Sequence, residues 1–178
     1  TLYAVNGWDT YIDNNEGKSF GAYLTWAPSD DFFISLAGIH GPETPMVTNA
    51  NAAIGGNTGF GGESESDKVM MYDIVITYSL PQVDRLSLGA NWDHGLAENN
   101  SAGEPGAGRR SDAHWWGAVG YAMYDFNDNQ MGALRYEYFD DTDSAKAFDM
   151  SAWSLTYTHN VTIADNLMIR PEIRYNSY

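Results

Sequence analysis

The middle of the chain shows most clearly how apolar and polar residues alternate. In the segment 85–95, every second residue from Leu86 to Trp92 is apolar, and the residues between them are polar or glycine. A period of two is expected of a β-strand with one apolar and one polar face. The segment 68–80 alternates in the same way, and the residues at 81–84 have turn composition. The pattern therefore predicts a β-hairpin over 68–95.

The same arrangement repeats along the chain, which predicts three more hairpins and one further strand at the beginning. These strands are expected at 2–9, 19–27, 32–40, 113–126, 130–139 and in the last hairpin, around 153–175. Short turns are expected at 28–31, 81–84, 127–129 and 164–166, and they alternate with longer polar loops at 10–17, 43–67, 96–111 and 140–147. The prediction is an all-β fold, an antiparallel up-and-down sheet of about nine strands with all short turns at one end. Residues 1–178 form one barrel segment, with long surface loops at about 43–67 and 96–111.

Charged side chains recur on the polar face of these strands. An unpaired charge in a dry protein core costs several kcal/mol, whereas a water-filled lumen tolerates it. Short turns at one end and long loops at the other are also typical of transmembrane β-barrels in outer membranes. We therefore predict that the polar face lines a pore; mutual pairing that only stiffens the wall is the simpler alternative. The predicted pore-lining residues are Asp73, Arg85, Asn91, Asp93, Arg135, Glu137, Arg170, Glu172 and Arg174.

Aromatic residues recur on the opposite, apolar face. Tyrosine and tryptophan are enriched where a protein crosses the boundary between lipid and water, although ordinary packing on a sheet also uses them. The predicted membrane-interface residues are Trp26, Tyr78, Trp92, Trp116, Tyr124, Tyr136, Tyr138 and Trp153.

Composition narrows the function classes. The formal net charge of −15 excludes nucleic-acid binding, which needs a basic surface. There is no cysteine and no metal-ligand spacing of histidines, and no nucleophile, base and acid converge on one loop. We therefore predict no enzyme, no cofactor and no metal site. The acidic runs 63–67 and 140–143 leave calcium binding open beside the simpler interpretation of solvated loops.

The strand count suggests that more strands accompany these nine. Bacterial outer-membrane barrels close with an even number of strands, so we expect a segment of a larger barrel with at least twelve. No signal peptide or initiator methionine is visible, as expected for a processed chain or an internal portion of one.

Pro171 cannot donate a hydrogen bond to a neighbouring strand, so it predicts a bulge or an unpaired position in the last strand.

Four separated strings carry a resemblance to a known family. They are AVNGWD at 4–9, GIHGPE at 38–43, LRYEYFDD at 134–141 and IRPEIRY at 169–175. The chain resembles the β-barrel porins of the OmpL-like group in the outer membranes of Gram-negative bacteria. The resemblance implies a channel for passive diffusion of small hydrophilic solutes or ions, in contact with outer-membrane lipid, and it transfers no catalytic residues.

Two other functions stay open. One is a structural or partner-holding barrel whose lumen is plugged, for example by the loop 43–67. The other is a soluble β-barrel that binds a ligand. The sequence also leaves a homo-oligomer open, because no segment identifies a contact between protomers.

Overall fold

The chain folds into one large antiparallel sheet. The computed structural model describes residues 1–8, 17–43, 68–98, 112–143, 145–146 and 149–178. The strands in these ranges are β1 (Leu2–Val5), β2 (Ser19–Ser29), β3 (Phe32–Pro42), β4 (Lys68–Ser79), β5 (Leu86–Ala97), β6 (Ala113–Asn127), β7 (Gln130–Asp140), β8 (Ser151–Ala164), β9 (Leu167–Ile169) and β10 (Glu172–Ser177). Within the same ranges, no helix is long and apolar enough to cross a membrane.

Each strand from β1 to β8 pairs with the next one in the sequence, and β9 and β10 both pair with β8. The last two are one strand that is interrupted at Pro171, as the sequence predicted. The His159 N–H still donates to the Pro171 carbonyl at 3.0 Å across this break. The up-and-down topology of about nine strands is thus confirmed. The described residues contain no pairing between β1 and β10, so the sheet is open here.

The four short turns lie at one end of the sheet and the longer connections at the other. The first turn is shorter than predicted, because β2 continues through Pro28 to Ser29. The register shifts between Trp26 and Ser29, which places the proline in a bulge where no donor is required. Only Asp30 and Asp31 remain to reverse the chain.

The register aligns residues of like character across neighbouring strands and so gives the sheet two distinct faces. Leu36, Ile74 and Trp92 follow one another across β3, β4 and β5. We call the side that carries them the apolar face. The residues that alternate with them, such as Asp73 and Asn91, define the polar face.

Burial is the reverse of what a soluble protein shows. Large side chains of the apolar face are exposed, with 64% of Phe20 and 62% of Leu24 accessible, while small polar residues such as Ser154, at 2%, are buried on the polar face. Soluble domains bury their large apolar side chains. Here the small side chains of the polar face are buried and the large ones of the apolar face are exposed, so the polar face is the crowded, concave side of the sheet. The buried apolar residues of the described ranges are Ala97, Ala113, Trp115 and Ala145, a small cluster at the end with the longer loops.

Candidate functional site

The polar face brings together eight of the nine residues that the sequence predicted to line a pore. β4 and β5 carry an acidic group, and β7 to β10 carry a second group in which arginines predominate. The eight residues are Asp73, Asn91, Asp93, Arg135, Glu137, Arg170, Glu172 and Arg174.

Glu137 is the centre of the arginine-containing group. Its carboxylate forms ion pairs with Arg135 on the same strand and with Arg174 on β10, and it accepts a hydrogen bond from the Ser154 hydroxyl at 2.6 Å. The register explains this meeting, since Arg135 and Arg174 both lie opposite Thr156, two residues along β8 from Ser154, the partner of Glu137. The three charged side chains are 20–43% exposed, so water screens them and each pair contributes about 1 kcal/mol or less. Their main effect is to fix where the charges lie.

The acidic group lies on β4 and β5. Asp73 and Asp93 are directly opposite each other, an arrangement of like charges that destabilises a sheet unless other groups compensate for it. The Asn91 amide donates to the Asp73 carboxylate at 2.5 Å and to the Ile74 carbonyl at 3.1 Å. This amide therefore holds one of the two carboxylates in place.

Polar contacts continue along the last strand. Arg170 donates through Nε to the Asn160 side-chain oxygen at 2.7 Å, and Glu172 accepts a hydrogen bond from the Thr158 hydroxyl at 2.9 Å. Arg174 makes a similar bond to Asn176, also at 2.7 Å. The arginines of the polar face thus have partners that orient them.

A cavity of about 290 Å³ lies on the polar face between the two charged groups. Asn91 and Asp93 line one side, and Arg135, Glu137 and Arg174 line the other. Between them runs β6, whose polar-face residues from 115 to 123 carry no charge. A small hydrated solute in this space would meet one carboxylate and one amide on one side, and two guanidinium groups and one carboxylate on the other.

Arg85 departs from the prediction. It was expected on the polar face of β5, but that strand begins at Leu86, and Arg85 lies in the turn with a positive φ of 66°. The left-handed conformation suits the last residue of a short hairpin connection. Its guanidinium lies 3.9 Å from Asp84 and 3.8 Å from Asp128 of the neighbouring turn. Arg85 is thus at the rim of the sheet, away from the wall.

The aromatic residues predicted at the membrane interface all belong to the apolar face, and most of them form two rows. Near the short turns, the ring centroids of Trp26 and Phe32 are 6.1 Å apart and those of Phe32 and Tyr78 are 6.2 Å apart. Near the longer loops, Trp116 and Tyr138 are 5.0 Å apart.

The spacing between these rows can be read along β6. Tyr124 and Trp116 are eight residues apart, about 27 Å along the strand, or about 20 Å in height for a strand tilted by about 40°. Tyr136 differs from the other predicted residues because it pairs with Gly120, halfway between the two rows. The rows are separated by roughly the height of the apolar band in transmembrane barrels.

Several residues of the polar face were not singled out from the sequence. They are Tyr121, Ser154, Thr158 and Asn160. Tyr121 lies under Arg135, with 5.9 Å between the Arg135 Cζ atom and the ring centroid. All four share the period-two parity of the charged residues, and this signal was present in the sequence.

The acidic run at 140–143 binds protein groups. Asp140 accepts hydrogen bonds from Thr142 and Tyr138, and Asp143 accepts one from the His114 backbone. In the ranges that the structure describes, no three acidic or histidine side chains form a group that could hold a metal ion. The other acidic run, 63–67, lies outside those ranges.

Comparison with known protein families matches residues 1–178 to the family described as Putative beta-barrel porin-2, OmpL-like. No significant match was found among curated proteins or among solved structures. The family match agrees with the strings that carried the resemblance and with the up-and-down sheet. The chain belongs to the Putative beta-barrel porin-2, OmpL-like family.

Proposed function

We propose that this chain forms the wall of a water-filled channel in the bacterial outer membrane, through which small hydrophilic solutes or ions diffuse passively. One observation carries the proposal: large apolar side chains cover the convex side of the sheet, and charged, hydrogen-bonded side chains cover the concave side. Lipid would contact the first surface and water the second.

This distribution also argues against a soluble ligand-binding barrel. Trp26 is 60% exposed and Tyr136 is 50% exposed on the convex side, together with leucine and isoleucine residues of neighbouring strands. A continuous apolar surface of this size in water favours aggregation or association with a partner. In a bilayer, lipid chains would cover this apolar surface instead. The two aromatic rows would then lie at the two interfaces of that bilayer.

The wall carries both signs of charge, so we expect a general diffusion channel with modest ion selectivity. Rings of charged side chains determine which ions a pore admits. Arg135 and Arg174 favour anions, while Asp73, Asp93 and Glu137 favour cations. Because Asp93, Glu137 and the two arginines line the same cavity, small zwitterionic or neutral polar solutes would also find complementary partners there.

The proposal is tested first by conductance. The protein, purified in detergent and added to a planar lipid bilayer, should give stepwise increases of ion current. A folded protein that inserts into the bilayer without carrying current would contradict a diffusion channel and favour a plugged, partner-holding barrel.

Neutralising the two arginines of the wall should change ion selectivity. We expect the double variant Arg135→Gln with Arg174→Gln to lower the ratio of anion to cation permeability about threefold, because two nearby positive charges no longer act on passing ions. Glu137→Gln should change the ratio in the opposite direction. Reversal potentials in a salt gradient measure both effects.

Arg85→Gln is the matched control, since it also removes an arginine charge but does so at the rim of the short turns. It should leave the reversal potential close to that of the unchanged protein. If all the variants shift the reversal potential equally, the polar face does not line the path of the ions.

A further inference from the structure

The small buried apolar cluster lies on the polar face, where a water-filled channel would have an open mouth. Ala97, Ala113 and Trp115 belong to the polar face of β5 and β6, and Ala145 comes from the connection between β7 and β8. Ala145 is only 5% exposed and Trp115 only 6%. The wall at this end is therefore covered by a residue of the loop.

The wall is shaped to receive these groups. The Trp115 ring lies over Gly95 on the neighbouring strand, so closely that a side chain at position 95 would overlap it. Ala97 and Ala113 lie opposite each other two residues further along the strands, on the same face. These small residues leave a shallow bed in which the indole and the alanine of the loop lie.

Backbone contacts hold this loop inward. The Asp141 side chain is fully buried and accepts hydrogen bonds from the Lys146 backbone N–H at 2.9 and 3.1 Å. The Asp141 N–H donates to the Met150 carbonyl at 2.9 Å and closes the base of the loop. Because the buried carboxylate binds the backbone of Lys146, it fixes the direction in which the Lys146 side chain projects from the loop.

The Lys146 side chain then extends across the polar face. Its ammonium nitrogen is 4.4 Å from the centroid of the Trp115 ring and 5.9 Å from that of Trp8. Both distances lie within the range of cation–π attraction. Trp8 belongs to the connection between β1 and β2, whereas Trp115 lies on β6. Because three strands separate β2 from β6, roughly 19 Å along the sheet, the lysine bridges the concave side.

The connection that carries Trp8 is also held in place by hydrogen bonds. Glu43, at the end of β3, is 7% exposed. One of its oxygens accepts hydrogen bonds from the Trp8 backbone N–H at 3.0 Å and from the Ser19 hydroxyl at 2.5 Å. These bonds tie the connection that carries Trp8 to β2 and β3. Groups from both sides of the concave face thus meet around one ammonium.

We infer that Ala145 and Lys146, in the connection between β7 and β8, form a constriction in the mouth of the channel, and that the Lys146 ammonium is a charge that determines which ions pass it. This inference rests on the proposed channel function. Held between two indole rings at the narrow point, the ammonium attracts anions and repels cations more effectively than a charge on a mobile loop.

Cysteine labelling tests the inward fold without requiring conductance. The chain contains no cysteine, so single-cysteine variants report on one position each. Ala145→Cys should react with a water-soluble thiol reagent at least about tenfold more slowly than Thr142→Cys, because residue 145 is buried and residue 142 is exposed in the same loop. Equal rates would overturn the inward fold.

Charge substitution tests the role of the lysine. Lys146→Gln should lower the ratio of anion to cation permeability about threefold. Lys146→Arg keeps the positive charge and should leave this ratio close to that of the unchanged protein. Lys18→Gln is the matched control, since Lys18 is exposed and donates to the Gly17 carbonyl at the same end of the sheet. A conducting protein whose reversal potential is the same with Lys146→Gln would overturn the inference. Absence of all conductance would instead overturn the proposed function and with it the role of Lys146, while the labelling rates still decide whether the loop folds inward.

Discussion

Ile76→Arg is expected to make folding into a lipid bilayer less favourable by about 2–4 kcal/mol. Ile76 lies on the apolar face and pairs with Ala90, which in turn pairs with Gly120. Gly120 is halfway between the two aromatic rows, so this position would lie near the middle of the bilayer. An arginine there must either lose its hydration or draw water and headgroups toward it. Urea titrations of the protein in lipid vesicles measure the change.

The neighbouring residue supplies the control. Thr77 is on the polar face, is exposed and pairs with Gly89, so an arginine at this position would point into water and meet little steric resistance. Thr77→Arg should change the same free energy by less than about 1 kcal/mol. If Thr77→Arg costs more than Ile76→Arg, the two faces have been assigned the wrong way round, and the channel proposal fails with them.

The faces could be predicted from the sequence because alternation is a local property. Along β5, the residues from Leu86 to Trp92 indicate which side chains lie together without any knowledge of the partner strands. Consecutive strands joined by short turns then pair with each other, so the register could be anticipated in outline. Pro171 was informative for the same reason, since a missing donor is visible in the sequence and predicts a bulge or an unpaired position.

The prediction failed where backbone conformation overrides alternation. Arg85 continues the polar pattern of β5, yet its positive φ makes it the last residue of the turn. Pro28 has turn composition, yet a bulge accommodates it inside β2. In both cases the pattern of side chains gives no information about the local path of the backbone.

The constriction could not be predicted, because its contacts join residues that are distant in the sequence. Glu43 was assigned to the polar loop 43–67, and nothing near it indicates that it binds the Trp8 backbone. Lys146 lies in the acidic loop 140–147, where a solvated charge is the ordinary interpretation. The folded chain brings Trp8, from the connection between β1 and β2, and Trp115, from β6, to the same ammonium.

Gly95→Ala is expected to destabilise the folded protein by about 1–3 kcal/mol, since overpacking forces neighbouring groups to shift. A methyl group at this position would overlap the Trp115 ring. In an open lumen, the ring could simply move into water. Here Ala145 and the Lys146 ammonium cover it, so the ring, the loop and the ammonium must move together.

Gly120→Ala makes the same chemical change on the adjacent strand, but a methyl group there meets no atom within 4 Å. It should alter stability by less than about 0.5 kcal/mol. Midpoints of unfolding in urea, measured for both variants in the same vesicles, compare them directly. The thiol reactivity of Ala145→Cys, measured in the Gly95→Ala background, links the change in stability to the loop. A rise in reactivity would show that the alanine displaces the loop, whereas an unchanged rate together with equal midpoints would show that the Trp115 ring does not pack beneath it.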